Sequence, residues 1–164
     1  MTDATAETAL EARNPEAWVG EEGFSPWHAI DQKTVDQYAM LTGDGEGEWV
    51  HLDSERAARE LPYGGTIVPG FLQVAHLTKL FGEALTSLGD VDPNHALNYG
   101  FDRLRFVSPL PVGAKFRARF RVKDVRPHPS GGYVVKQDAA LEKEDGGLTL
   151  AAEWLFHISD RAIS

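Results

Sequence analysis

The segment that most constrains this chain runs from residue 71 to residue 88. Its apolar residues are Phe71, Leu72, Val74, Ala75, Leu77, Leu80, Phe81, Ala84, Leu85 and Leu88. They fall at helical spacing but cover more of the circumference than the single stripe of a surface helix. Such a helix has to be buried on most sides, yet it is too polar to span a bilayer. Another part of the chain must wrap around it.

The C-terminal half supplies the wrapper. Four strand-like runs, 96–108, 114–126, 132–144 and 148–158, are separated by turn signals at Ser108-Pro109-Leu110-Pro111-Val112-Gly113, Pro127-His128-Pro129-Ser130-Gly131-Gly132 and Asp145-Gly146-Gly147. Phe116, Ala118, Phe120 and Val122 alternate with Lys115, Arg117, Arg119, Arg121 and Lys123, which marks a strand with one buried face. Short turns between long strands imply an antiparallel meander. The expected fold class is therefore α+β: a curved antiparallel sheet wrapped around one long central helix, the arrangement called a hotdog.

Upstream, Ile30, Val35, Tyr38, Ala39 and Leu41 predict a helix capped by Asp31 and ended at Thr42-Gly43. A second short helix is expected from Asp53 or Ser54 to Glu60, followed by a loop over residues 61–65. Residues 1–16 offer only scattered apolar groups and read as a flexible tail before a single domain over 17–164. The 42% hydrophobic and 25% charged fractions are those of an ordinary soluble protein. The acidic N-terminus lacks the order of a secretory signal, so the cytoplasm is expected. Without cysteine there is no disulfide, no thiol nucleophile and no cysteine-type zinc site. A net charge of −9 argues against nucleic acid as a partner, and no run is long and apolar enough for a membrane.

The run Tyr38-Ala-Met-Leu-Thr-Gly-Asp44-Gly-Glu-Gly-Glu-Trp-Val-His51-Leu-Asp-Ser-Glu-Arg-Ala57 resembles the signature of the MaoC-like enoyl-CoA hydratases, in the branch named for nodulation protein N. Gly64-Gly65-Thr66-Ile67-Val68-Pro69-Gly70-Phe71-Leu72, Asn98-Tyr99-Gly100 and Arg105-Phe106-Val107-Ser108-Pro109 extend the likeness over residues 20–158. That spread counts for more than any short match alone. The resemblance implies an Asp and His pair acting on 2-enoyl or 3-hydroxyacyl thioesters, with His51 as the histidine. It implies that Gly70 offers its backbone N–H to the thioester oxygen and that Thr78 is a supporting hydroxyl. Adding water across a double bond needs one group to take a proton from water and another to protonate the α-carbon. A fixed N–H at a helix N-terminus stabilises the enolate-like oxygen that forms meanwhile.

Two departures from the family pattern bear on the site. The family's Asp stands five positions before its His, whereas Asp44 stands seven before His51, and five back lies Glu46. Either the loop holds two extra residues around Asp44, with Gly45 and Gly47 able to bulge, or Glu46 has taken the role; the flank Thr42-Gly43 favours Asp44. Pro69 also stands where the family often has His. The alternating Asp44, Glu46 and Glu48 lack the remaining ligands of a calcium loop and read as a solvated acidic turn. His28, His95, His128 and His157 show no partner spacing, and His76 within the central helix reads as a satisfied polar contact. Five of the 16 Lys and Arg residues fall in 115–123, the solvated face of a strand or an attraction for the phosphates of coenzyme A or an acyl carrier protein.

These readings lead to hydration or dehydration of an acyl thioester, with coenzyme A or phosphopantetheine as part of the substrate and no separate cofactor. The competing readings are a catalytically inert hotdog subunit that binds acyl groups or serves structure, favoured by the expanded loop, and an acyl-CoA thioesterase. A homodimer is expected, because a lone sheet leaves a long edge strand, and the resemblance implies two subunits joined edge to edge with the pocket near their interface. The tunnel is expected to be lined by the first turns of the central helix and residues 64–68, including Val68, with Trp49 either near its mouth or a plain core residue.

Overall fold

The computed structural model describes residues 15–44, 47–88 and 96–158. The expected tail lies outside the described residues up to residue 14, as do Glu46 and His95, while Pro15–Trp18 form a short 3-10 helix. The helix signals locate their elements closely. In α1 (Gln32–Thr42), the Asp31 carboxylate accepts from the Thr34 N–H at 2.8 Å and from its hydroxyl at 2.6 Å. The helix stops at Gly43, whose φ of 73° is the left-handed conformation that glycine adopts without strain. Asp53 caps α3 (Ser54–Glu60) through the Arg56 N–H. Between them lies α2 (Trp49–Leu52), too short to announce itself by periodicity. The long helix α4 spans Gly70–Leu88.

The strands are β1 (Glu22–Phe24), β2 (Ala96–Phe106), β3 (Phe116–Pro127), β4 (Tyr133–Lys143) and β5 (Leu148–Ile158), in one antiparallel sheet of order β1-β3-β4-β5-β2. The expected meander therefore holds for β3, β4 and β5 only. β2 pairs with β5, at the opposite side of the sheet from the β1 edge beside β3. The segment joining β2 to β3 is no hairpin because Pro109 and Pro111 have no N–H to donate, and hairpin turns are shorter. Instead it passes beneath the start of α4, where Leu110 is buried and its carbonyl accepts from the Val68 N–H at 2.8 Å. The Val112 N–H donates to the Thr66 carbonyl at 2.9 Å, fastening the loop before α4 to this crossing.

Inward residues of β3 (Phe116, Ala118, Phe120), β4 (Ala139, Leu141) and β5 (Leu150, Ala152, Trp154, Phe156) meet Leu72, Leu77, Leu80 and Ala84 of α4 in one core. Each large side chain buried there contributes about 1.5–3 kcal/mol. Phe81 stacks on Phe156 at 4.7 Å and lies edge-on to Phe120 and Trp154. A bulge after Val122 shifts the alternation by one, so that Val125 rather than Asp124 turns inward.

Burial of α4 on most sides is not what one chain achieves. Phe71, Ala75, Thr78 and Gly82, at i, i+4, i+7 and i+11, form an exposed stripe, and Phe71 is 66% accessible. Five strands curl around one side of a helix and cannot close over the other. The basic face of β3 is largely neutralised: Lys115 pairs with Glu144, Arg117 with Glu142, Arg119 with Glu22, and Lys123 with Asp138 and Glu153. No helix among the described residues is long and apolar enough to cross a membrane.

Candidate active site

The site is assembled around α2, which the chain pins from several directions. The Ile67 N–H donates to the Val50 carbonyl at 3.1 Å, and the Ile67 carbonyl in return receives the His51 ring at 2.7 Å through Nδ1. A carbonyl only accepts, so Nδ1 carries the hydrogen and, in the neutral ring, Nε2 is the free acceptor. Gln32 holds the same turn from below. Its amide donates to the His51 carbonyl at 2.8 Å and to Asp36 at 2.9 Å, while its oxygen accepts from the Thr66 hydroxyl at 2.5 Å. The histidine is thus fixed in tautomer by one loop and in position by another helix.

His51 lines a groove of about 470 Å³. Tyr38, Asp44 and Glu48 form one wall and Ile67, Val68 and Pro69 a second. The first turn of α4 (Gly70, Phe71, Gln73) and residues 106–109 complete it. Gly70 opens α4, so its N–H is one of the helix's unpaired donors at the positive end of the dipole. Pro69 before it has no N–H to compete. The absence of a side chain at Gly70 is a packing requirement, since a Cβ there would stand 2.8 Å from the Phe106 ring. Beneath the groove, the buried Gln73 amide donates to the Val68 carbonyl at 3.4 Å.

The two carboxylates differ in setting but share exposure. Asp44 lies just past α1, close enough to Tyr38 to act on its hydroxyl: desolvation first, and then the Asp44 charge, hold that phenol above its ordinary value. Tyr38 is therefore a protonated O–H donor beside the groove. Glu48 occupies the N-cap position of α2, yet its side chain makes no capping hydrogen bond. Among the described residues, no lysine or arginine lines the groove.

The structure brings Asp44, His51, Val68 and Gly70 to one groove, and it does not bring Thr78 there. Eight residues of helix place Thr78 about 12 Å along α4, on its exposed stripe. Trp49 is not at this groove either. It lines the adjoining depression with Asp53, Ser54 and Arg56, and the Arg56 guanidinium covers its ring at 4.1 Å. The turn of helix that aims His51 at the groove aims Trp49 away. Glu48 borders both depressions, although in sequence it belongs to a solvated acidic turn. The wall at residues 106–109 was already visible as a family match but not as part of the site. His28, despite having no partner nearby in sequence, meets Glu83 of α4 at 2.6 Å, and His76 bonds the Leu72 carbonyl within its helix.

A five-stranded antiparallel sheet around one long helix, with a groove at the helix N-terminus, defines the hotdog class. The chain belongs to the MaoC-like dehydratase family: the family's model, described as a MaoC like domain, matches residues 16–143. It is 42% identical over 122 residues to 3-hydroxyacyl-thioester dehydratase Z of Mycobacterium tuberculosis, covering 74% of this chain and 77% of that one. It is 34% identical over 139 residues to nodulation protein N of Rhizobium leguminosarum bv. viciae, covering 84% of each. Among solved structures, the (R)-hydratase of A. caviae involved in PHA biosynthesis superposes with a TM-score of 0.67 at 21% identity, covering 85% of this chain and 96% of that one.

Proposed function

We propose that the protein adds water to, or removes it from, an acyl thioester, interconverting 2-enoyl and 3-hydroxyacyl forms. The observation that carries this reading is His51, whose Nδ1–H is committed to Ile67 in a groove shared with Asp44 and the N-terminus of α4. In the hydration direction, Asp44 and His51 Nε2 hold the attacking water and divide the two proton transfers between them. The Gly70 N–H meets the thioester oxygen as it gains charge. The water oxygen joins the β-carbon and a proton joins the α-carbon as the double bond is lost, with no net oxidation or reduction, so the reaction calls for no redox group. The groove walls of Ile67, Val68, Phe71 and Phe106, with no lysine or arginine lining it, suit an uncharged acyl chain.

The working form is a homodimer. The free edge of β2 and the exposed apolar groups Phe71, Leu97, Tyr99, Phe101, Phe106 and Val107 support this reading. Natural sheets rarely leave such an edge unpaired, and exposed aromatic groups along it suit an interface. Thr78, on the same exposed stripe, faces the partner in such a dimer. The seven-residue step from Asp44 to His51 favours a second reading, an inert subunit that binds acyl groups without converting them. Incubation with crotonyl-CoA and longer enoyl-CoAs separates the two. Loss of the conjugated thioester absorbance is the expected result, and no loss at any chain length overturns the enzyme reading.

A further inference from the structure

The outer face of the sheet carries a second concavity that the proposed reaction leaves unused. One row of residues crosses four strands there: Arg105 faces Ala151, Ala151 faces Ala140, and Ala140 faces Arg119. Strands lie about 4.8 Å apart, so the two arginine backbones stand about 14 Å apart across a floor of two methyl groups. Arg121 lies two residues along β3 on the same face. The cleft, about 200 Å³, is lined by Arg119, Arg121, Asp138, Leu148 and these alanines, and Arg105 stands one strand beyond its lining, beside Ala151. Elsewhere on the sheet, Lys115, Arg117, Lys123 and Lys136 meet carboxylates. Among the described residues, Arg105 and Arg121 have no carboxylate within the 4.0 Å reach of the ion pairs around them.

This cleft adjoins the His51 groove. Ser108 lines the groove, and its hydroxyl donates at 2.6 Å to the carbonyl of Leu148, which lines the cleft. From Leu148 to the row of arginines is three residues along β5, about 10 Å. One elongated ligand therefore reaches both concavities by passing over the end of β2. Guanidinium groups bind phosphate oxygens in paired hydrogen bonds, and alanine side chains let such a group approach the sheet closely.

We propose that this cleft holds the phosphates of coenzyme A while the acyl group occupies the His51 groove, an inference that rests on the acyl-thioester reading. The small concavity suits a nucleotide's phosphates. The ion-paired surroundings lack the extended positive field that draws an acidic carrier protein.

The test is calorimetric titration with coenzyme A and with pantetheine, its phosphate-free arm, comparing wild type with Arg105→Gln/Arg121→Gln. Neither arginine is in an ion pair among the described residues, so the sheet's charge network stays whole in the variant. Affinity for coenzyme A is expected to fall by about tenfold or more, the size of a lost charge-assisted contact, and pantetheine binding to stay as it was. Wild-type affinity for coenzyme A should also weaken with salt more steeply than the variant's. Coenzyme A affinity unchanged within about twofold overturns the assignment. So does a variant that binds coenzyme A normally but loses a phosphopantetheinylated carrier protein. Binding is read without turnover, so a protein that binds coenzyme A through these arginines yet hydrates nothing sinks the enzyme reading alone. Hydration of crotonyl-CoA with a KM indifferent to the two substitutions sinks this inference alone.

Discussion

Gly70→Ala puts the packing at the helix start and the role of its N–H under one test. The added Cβ falls 2.8 Å from Cε1 and Cζ of Phe106 and 3.0 Å from Cε2. Unstrained carbon contacts begin near 3.5 Å, so the ring and the backbone must separate by about 0.7 Å. Phe106 is half exposed but held edge-on by Phe71 at 5.7 Å, so part of the strain moves α4's first turn. Overpacking of this kind costs about 1–3 kcal/mol, and alanine's better helix propensity returns up to about 1. The net loss of about 0–3 kcal/mol corresponds, at about 2–4 °C per kcal/mol for a chain of this size, to a Tm lowered by at most about 12 °C. Deleting an oxyanion donor costs about 10²–10³ in rate, and a donor displaced by a fraction of an ångström should cost about 10–100-fold in kcat. Hydration of crotonyl-CoA by absorbance and a thermal melt read the two effects separately. Phe106→Leu in the same chain makes room for the methyl and should recover part of both. A Gly70→Ala enzyme with wild-type kcat, KM and Tm refutes the close contact and the displacement of the helix start reasoned from it.

Asp44→Asn should lower kcat by about 10²–10⁴-fold, whereas Glu46→Gln and Glu48→Gln stay near wild type; the reverse pattern in steady-state assays moves the carboxylate role along the loop. Phe71→Glu places a charge on the exposed stripe of α4 and should convert a dimer to a monomer in sedimentation velocity, while an already monomeric wild type contradicts the dimer. Glu153 is held below its ordinary value of 4.5, first by the hydrogen bond from Lys123 and then by the charges of Lys123, Arg103 and Lys136. A depressed carboxyl stabilises the fold fully above the unfolded value and loses that contribution as pH falls through the folded value. Melting temperature should therefore fall less steeply below about pH 4.5 in Glu153→Gln than in wild type.

The parts of this fold that were legible in the sequence are those whose cause is local. Asp31 and Asp53 announce their helices because a cap is a contact three residues long, and β3 shows its buried face by simple alternation. β1 and α2, of three and four residues, are too short for any period to register. The placement of β2 beside β5 depends on where a proline-rich crossing finds its hydrogen bonds, which pair Val68 with Leu110 and Thr66 with Val112. At the site, one groove is lined by Asp44, His51, Val68 and Gly70. What fixes the His51 tautomer is the carbonyl of Ile67, sixteen residues away, and backbone groups leave no trace in residue identity. Trp49 and Thr78 show how helix geometry separates sequence neighbours: half a turn carries Trp49 from His51 to the adjoining depression, and two turns carry Thr78 from Gly70 along the exposed stripe.

The central claim is that His51, held by Ile67, performs proton transfer on a bound thioester. Its most direct test is the rate of crotonyl-CoA hydration by His51→Ala, beside a circular dichroism spectrum and melt of the same preparation. A folded variant slowed by about 10²–10⁴-fold is the result expected of a positioned acid–base group. A folded His51→Ala variant that hydrates the substrate at the wild-type rate contradicts the account.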